Sequence, residues 1–504
     1  MKTNTKNFKN KMATITNPLL AGMATSGNGA LTANGALSNA STLDACVDFY
    51  GAGGAIRSRS DADIVSLFSK AFYQDRLVAL KTLFYFRDIR EGQGERKVSR
   101  TILRWLADNY TDILVKNIDN IPFFGRWDDL YALVGTKAEN AAFEAFAKQL
   151  KEDSQNALDG KQISLLAKWL KSVNTSSTES RRLGFKTASA LGLTPAQYRK
   201  CLSALRKHLD VLEIKLSGKN YSAINYEAVP SKASLQYRKA FGRNDGERYR
   251  AYLGQVEKGE AKINASTLYP YEIIRPIETA YENDPTTLKA LDLQWQNQPD
   301  WLKDNPHKGI VVADTSGSMM GLPILVSVSL AIYFAERNEG PFKNTFITFS
   351  QNPVLQLISG QTIAEKVRGL NRNGWDQNTN LQAVFDLILR TAVKNKLSED
   401  HMPDSIYIIS DMAVDIGNSS NNMTNYEIIR QKYKTAGYKL PRLVWWNVNA
   451  TGTDSPVTVN DQGTCLVSGC SPSILKSVLS AKVFTPTDVM LETINNPRYD
   501  VIKV

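Results

Sequence analysis

The sequence predicts a multidomain chain, all-helical in its first part and α/β in its second, the latter built on a doubly wound, Rossmann-like parallel sheet. Before residue 300, apolar side chains recur at three- and four-residue spacing and regular β alternation is nearly absent. Beyond residue 305, short continuous apolar runs alternate with helical patterns, as expected of strands buried on both faces with helices between them. The 504 residues amount to about three domains at roughly 150 residues each, or two large ones, enough chain for a sizeable core.

In chain order, residues 1–40 are rich in Ala, Asn, Gly, Ser and Thr and read as a flexible arm. Residues 41–300 form the expected helical domain. Ile64, Leu67, Phe68, Ala71 and Phe72 mark one buried helix face, and Leu77, Leu80, Leu83 and Phe84 continue it. Arg87–Glu95 interrupts with Gly92 and Gly94, after which Ile102, Leu103, Trp105 and Leu106 resume the pattern. Further helices are expected at about 138–151, 161–173, 194–208, 231–241 and 245–258. The 194–208 helix is the best marked, with Thr194 as N-cap, Pro195 in the first turn and Gln197 as reciprocal cap. Helical pairs of this kind stack as a HEAT-like solenoid, although the chain has no strict repeat period.

Residues 305–504 form the expected α/β domain. Strands are expected at Gly309–Ala313, Thr345–Phe349, Ser405–Ile409, Arg442–Asn447 and Thr464–Val467, and helices at about 323–337, 379–395, 424–436 and 472–480. In such sheets ligands bind beyond the carboxyl ends of the strands. There the first strand runs into Asp314-Thr-Ser316-Gly-Ser318, a carboxylate and two hydroxyls on one tight turn. Asn378-Thr379-Asn380 offers a further hydroxyl at a helix start, and Asp411 follows the strand 405–409. Oxygen-only donors with little fixed charge suit a hard divalent cation such as Mg²⁺. The competing reading is structural, with Ser316 and Ser318 capping the next helix and Asp314 shaping the turn.

The composition narrows the function. Hydrophobic residues make up 42% and charged residues 22%, which excludes a disordered or fibrous chain. No run of about 18 apolar residues exists to span a membrane. Met1–Leu20 lacks the apolar segment of a secretion signal. Cys46, Cys201, Cys465 and Cys470 have neither metal-type nor disulfide-framework spacing, so a reducing, cytoplasmic setting is expected. No Walker loop or cysteine nucleophile context occurs, and Gly51–Gly54 and Gly92–Gly94 read as turns. His307 and His401 lie upstream of strands, away from Asp314, and His208 reads as a surface helix residue. No general base is therefore offered, and an enzyme is not expected.

The net charge of +11 is concentrated. Residues 311–504 hold 17 basic and 17 acidic side chains, whereas residues 161–250 hold 18 and 6. Such a block suits a polyanion, nucleic acid first among them, or is a solvated surface. Its candidate RNA contacts are Arg181, Arg182 and Lys186 beside Thr175–Thr178, then Arg199, Lys200, Arg206 and Lys207 on one helix, then Lys232, Arg238, Lys239 and Arg243. Tyr237, Phe241, Tyr249 and Tyr252 interleave with the last group and either stack on bases or form helix core. Trp127, Trp445 and Trp446 read as packing residues.

The Asp-x-Ser-x-Ser, Thr and Asp set resembles the metal-ion-dependent adhesion site of the von Willebrand factor A domain. The match implies that Asp314, Ser316 and Ser318 are the first ligand group, Thr379 the second and Asp411 the third. A helical region followed by such a domain resembles the Ro autoantigen family, whose ring-shaped TROVE module binds small noncoding and misfolded RNAs. A closer likeness is to a related family of phages, large viruses and plants. It rests on Phe84–Arg96 (Phe-Tyr-Phe-Arg-Asp-Ile-Arg-Glu-Gly-Gln-Gly-Glu-Arg), Phe124–Leu130 (Phe-Gly-Arg-Trp-Asp-Asp-Leu), Ile409–Met412 and Leu466–Gly469, within residues 34–500. The resemblance implies a Ro-like RNA-binding protein of the cytoplasm, or of the host cytoplasm if viral. Its metal-site domain would close the ring or recruit an acidic protein partner. The alternative is a metal-dependent adaptor or virion-associated protein without a nucleic-acid role.

Overall fold

The computed structural model describes residues 27–504 apart from 280, 281, 304–307, 350, 374, 376–378, 416–422, 453, 482 and 483. Residues 1–26 of the expected arm, His307 and Asn378 lie outside the described residues. The rest of that arm is not loose. It forms a hairpin of β1 (Gly29–Leu31) and β2 (Leu37–Asn39) laid on the second half of the chain. Asn39 N–H donates to Ser455 O at 2.9 Å and Asn39 O accepts from Ser455 N–H at 2.7 Å, while Thr32 Oγ1 donates to Val414 O at 2.6 Å. Small polar residues thus hold the hairpin by hydrogen bonds to a distant partner, which composition alone does not reveal.

The first half is helical, as expected. Glu139–Leu158, Pro195–His208, Ser231–Asn244 and Gly246–Glu257 form four of the five helices read from residues 138–258. The capping box at Thr194 is made, with Thr194 N–H donating to Gln197 Oε1 at 2.9 Å. The fifth is corrected: 161–173 holds only the single turn Leu166–Trp169. Ser164 is tied by its backbone N–H (2.9 Å) and its hydroxyl (2.6 Å) to Asp153, which competes with helical bonding. Beyond it, the Ser/Thr-rich stretch opens an unanticipated helix, Thr178–Ala190, capped by Ser177.

The apolar runs of the second half become β3 (Gly309–Asp314), β4 (Thr345–Phe349), β6 (Ser405–Ser410), β7 (Arg442–Asn447) and β8 (Thr464–Ser468), joined by the short strand β5 (Val354–Leu357). Their order is β5-β4-β3-β6-β7-β8. Every residue of β3 and β6 is buried, which accounts for their unbroken apolar runs. The sheet is mixed rather than wholly parallel, because β5 pairs antiparallel with β4 at the edge. Leu355 and Leu357 are exposed there, so β5 has no buried run to mark it.

The two halves share one core. A single apolar cluster runs from Phe49, Phe68 and Phe86 in the helices to Val312, Ile408 and Trp446 in the sheet. A smaller one gathers around Phe241, Tyr249 and Leu253. The helix Ala45–Gly53 lies against β8, where Gly54 N–H donates to Ser468 Oγ at 2.9 Å. Residues 497–503 return to the first half: Arg498 Nε donates to buried Asp88 at 2.5 Å, and Lys503 N–H to Asn117 Oδ1 at 2.9 Å. Beside them Arg87 and Arg100 both bond Asp129 at 2.7 Å, and Arg126 bonds Asp128 at 2.8 Å. The Phe84–Arg96 and Phe124–Leu130 motifs therefore build a buried ion network, and Gly92 is required because a Cβ there would lie 2.0 Å from Tyr85 O.

Removing the cation opposite Asp88 should be costly. Arg498→Leu is expected to lower unfolding free energy by about 3 kcal/mol in urea titration, since it strands a buried carboxylate. The double variant Asp88→Asn/Arg498→Leu should recover most of that loss, and no recovery would show that the pair is not the source.

Candidate functional site

Parallel pairing sets the site. With Ala313 opposite Ile409, the ends of β3 and β6 lie side by side, and the chain leaves them in opposite directions, to β4 on one side and β7 on the other. The crevice of a doubly wound sheet forms at such a point. Asp314 ends β3 and is 0% exposed, and Asp411 follows β6 at 1%. Asp314 Oδ1 accepts from Ser316 N–H at 2.9 Å and Oδ2 from the Ser410 hydroxyl at 2.5 Å. Ser316 Oγ and Ser318 Oγ are 3.2 Å apart. Neither serine caps a helix: the following helix Leu322–Arg337 begins after Gly321 with no side-chain cap.

Thr379, 1% exposed, immediately precedes Asn380, the cap of the helix Leu381–Lys394; its carbonyl accepts from Asp415 N–H at 3.0 Å, which joins it to the loop after β6. Two further groups hold that loop and escape the sequence reading. Ser410 bridges Asp314 and the backbone N–H of Met412 (3.0 Å), and Asn34 of the hairpin donates to Ala413 O at 2.5 Å. Ser410 was legible as the hydroxyl beside Asp411; Asn34 stood out only as the start of the resemblance, since its partner is nearly 380 positions away.

Burial, and then the charge of Asp411, pushes the Asp314 carboxyl up to about 7. Burial also raises Asp411, opposed by the N–H of Ala413 and the Ser318 hydroxyl. Asp411 Oδ1 accepts from Ala413 N–H at 3.0 Å, but Oδ2 is buried with no hydrogen-bond partner among the described residues. Two desolvated carboxylates, one with an idle oxygen, set among hydroxyls, make a donor set that fits an oxygen-coordinated divalent ion. Among the described residues no three His, Cys, Asp or Glu side chains gather, so hydroxyls would have to complete any coordination.

The basic residues divide into three kinds. Arg182 pairs with Glu179 (2.7 Å), Lys186 with Glu139 (2.7 Å), Lys239 with Glu282 (2.5 Å), and Lys232 with Glu272. Arg206 and Arg238 are drawn into the fold, Arg206 by Ala167 O, Leu170 O and Ser172 Oγ, Arg238 by Leu235 O. Arg181, Arg199, Lys200, Lys207 and Arg243 are exposed and have no ion pair among the described residues. Phe241, Tyr249 and Tyr252 are buried in the smaller core and Tyr237 packs against it, so these rings are packing residues rather than base-stacking surfaces. Trp445 and Trp446 are likewise buried, and Trp127 packs on the main core.

Two family models match in series, each described as a domain of unknown function: DUF2828 over residues 32–145 and 175–307, and DUF7788 over residues 308–499. A protein of Acanthamoeba polyphaga mimivirus, "Uncharacterized protein L728", is 30% identical over an alignment covering 93% of this chain and 87% of its own length.

Asp411→Asn keeps the acceptor for Ala413 and puts an N–H₂ group in place of the idle oxygen. We expect the metal-free protein to gain about 1 kcal/mol in unfolding free energy, through relief of like charge. Any rise in Tm on adding Mg²⁺ should vanish with it. A less stable variant that still responds to Mg²⁺ would refute this account of the pair.

Proposed function

We propose, for a chain that belongs to the family of the mimivirus protein L728, that it is an RNA-binding protein of Ro type. The helical half would be a HEAT-like TROVE domain that meets the RNA, and the sheet half a von Willebrand A domain that holds a divalent metal. The observation that carries the RNA reading is the set Arg181, Arg199, Lys200, Lys207 and Arg243, five cations in the +12 window that no carboxylate neutralises among the described residues. Within a fold that pairs most neighbouring cations internally, unpaired ones are left for an external anion, and phosphates are the polyanion that basic helices meet most often.

The sheet order with its single antiparallel edge, and the Asp, Ser, Ser, Thr and Asp constellation at the β3/β6 crevice, support the von Willebrand A reading. Asp314, Ser316, Ser318, Thr379 and Asp411 would hold Mg²⁺, which supplies positive charge to a ligand carboxylate. The idle Oδ2 of Asp411 favours a second reading, in which capture of an acidic protein partner is the main activity and the protein is an adaptor or virion component. Both readings are of binding rather than turnover. His401 is exposed on a turn before β6, at the opposite end of the strands from Asp314, so it gives the site no base. No helix among the described residues is long and apolar enough to cross a membrane, and the host cytoplasm is the proposed setting.

RNA affinity measured by fluorescence anisotropy on a single-stranded oligoribonucleotide should fall steeply with salt, by about 0.7 in log–log slope per phosphate contacted. Asp411→Asn should leave that affinity within about twofold, because the metal site is not the RNA contact. Flat affinity between low and physiological salt would remove the RNA reading and leave the adaptor.

A further inference from the structure

A groove of about 400 Å³ opens between the helix Pro195–His208 and the segment 172–174, and three cations line it. Arg206 forms its base, fixed by Nε to Ala167 O (2.8 Å), Nη1 to Ser172 Oγ (2.9 Å) and Nη2 to Leu170 O (2.8 Å). All three acceptors are neutral. The guanidinium therefore keeps its full charge, which burial destabilises, and it retains two of its five N–H donors. Arg199 and Lys200 stand exposed at the rim without ion-pair partners among the described residues. No carboxylate among the described residues lines the groove. A built-in, uncompensated positive pocket of this kind selects an anion with several acceptor oxygens, and arginine geometry favours a phosphate.

The groove is also too large and too apolar on one side for a bare phosphate. Val173 and Ile214, the latter 47% exposed, form an oily flank beside the cations. A sugar or base attached to the phosphate would cover that flank. In a duplex the bases are stacked away from a protein surface, so only an unpaired nucleotide can present phosphate and base together. We infer that this groove seats one unpaired nucleotide of an RNA strand, with its phosphate on Arg199, Lys200 and Arg206 and its sugar or base on Val173 and Ile214. The inference rests on the RNA reading above and assigns that reading its contact point.

The test uses the full chain and a fluorescein-labelled oligouridylate about a dozen nucleotides long. Arg199→Glu/Lys200→Glu alters two exposed side chains and should leave the Tm unchanged. It is expected to weaken oligouridylate binding at least about tenfold and to lower the log–log salt slope by about 0.7 or more. Lys394→Glu/Lys434→Glu, equal in charge change but on exposed lysines of the sheet half outside the proposed RNA contacts, should cost less than about threefold. Adenosine monophosphate should displace the probe better than inorganic phosphate does, and Ile214→Ser should remove that advantage. If oligouridylate binds but Arg199→Glu/Lys200→Glu behaves like the Lys394/Lys434 control, the groove is wrong while the RNA reading survives. If duplex RNA or a phosphoserine peptide competes as well as the single strand, the unpaired-nucleotide assignment falls. If the unaltered protein binds no oligouridylate at physiological salt, the RNA reading fails, and the inference fails with it.

Discussion

The parallel pairing of β3 with β6 is the constraint on which the site depends. It places Asp314 and Asp411 at the ends of neighbouring strands, both out of contact with water, so their charges meet where the medium screens them least. Every local arrangement answers that conflict. Ser410 and the N–H of Ser316 occupy Asp314, and the N–H of Ala413 occupies one oxygen of Asp411. The hairpin at residues 29–39 braces the following loop from outside. What remains is one idle oxygen and a proton affinity raised to near neutrality, a local instability that a bound cation would remove.

The distribution of positive charge follows a different logic. A basic block of sequence is not a basic surface until the fold has taken what it needs. Four of the predicted contact residues are matched with glutamates, and two are turned inward to satisfy helix carbonyls. Arg206 has both roles: it closes the carbonyls of the turn Leu166–Trp169 and thereby imports an uncancelled charge into the wall of a groove. Its packing role and its electrostatic consequence cannot be separated by substitution at Arg206 alone, which is why the rim residues Arg199 and Lys200 are the informative positions.

The broad division of the chain was legible because burial on both faces leaves a clear mark. β3 and β6 are continuous apolar runs, and the Thr194–Gln197 box is a local signal with a local cause. Asp314 and Asp411 were legible for the same reason, since each closely follows one of those runs. What the sequence withheld depends on distant partners. The single turn at 166–169 exists because Asp153 and Arg206 supply bonds from other helices, β5 because β4 offers an edge, and the hairpin because Ser455 and Val414 accept it. The tyrosines of 237–252 have the spacing of either a stacking surface or a core. Only the neighbouring helices decide between them, and they bury three of the four aromatic rings there.

The return of residues 497–503 also fixes an order of assembly. Asp88 is separated by 410 positions from the arginine that neutralises it, and Asn117 by 386 from the backbone it binds. During synthesis the helices 45–124 emerge long before those partners, when Asp88 lacks its arginine and Asn117 has only its local bonds to Ile113 and Asn120. The final packing of that region therefore waits for the sheet half, which sets it apart from domain-by-domain folding, the usual route for a chain of this size. The ion pair at Asp88 is complete only once both halves are present.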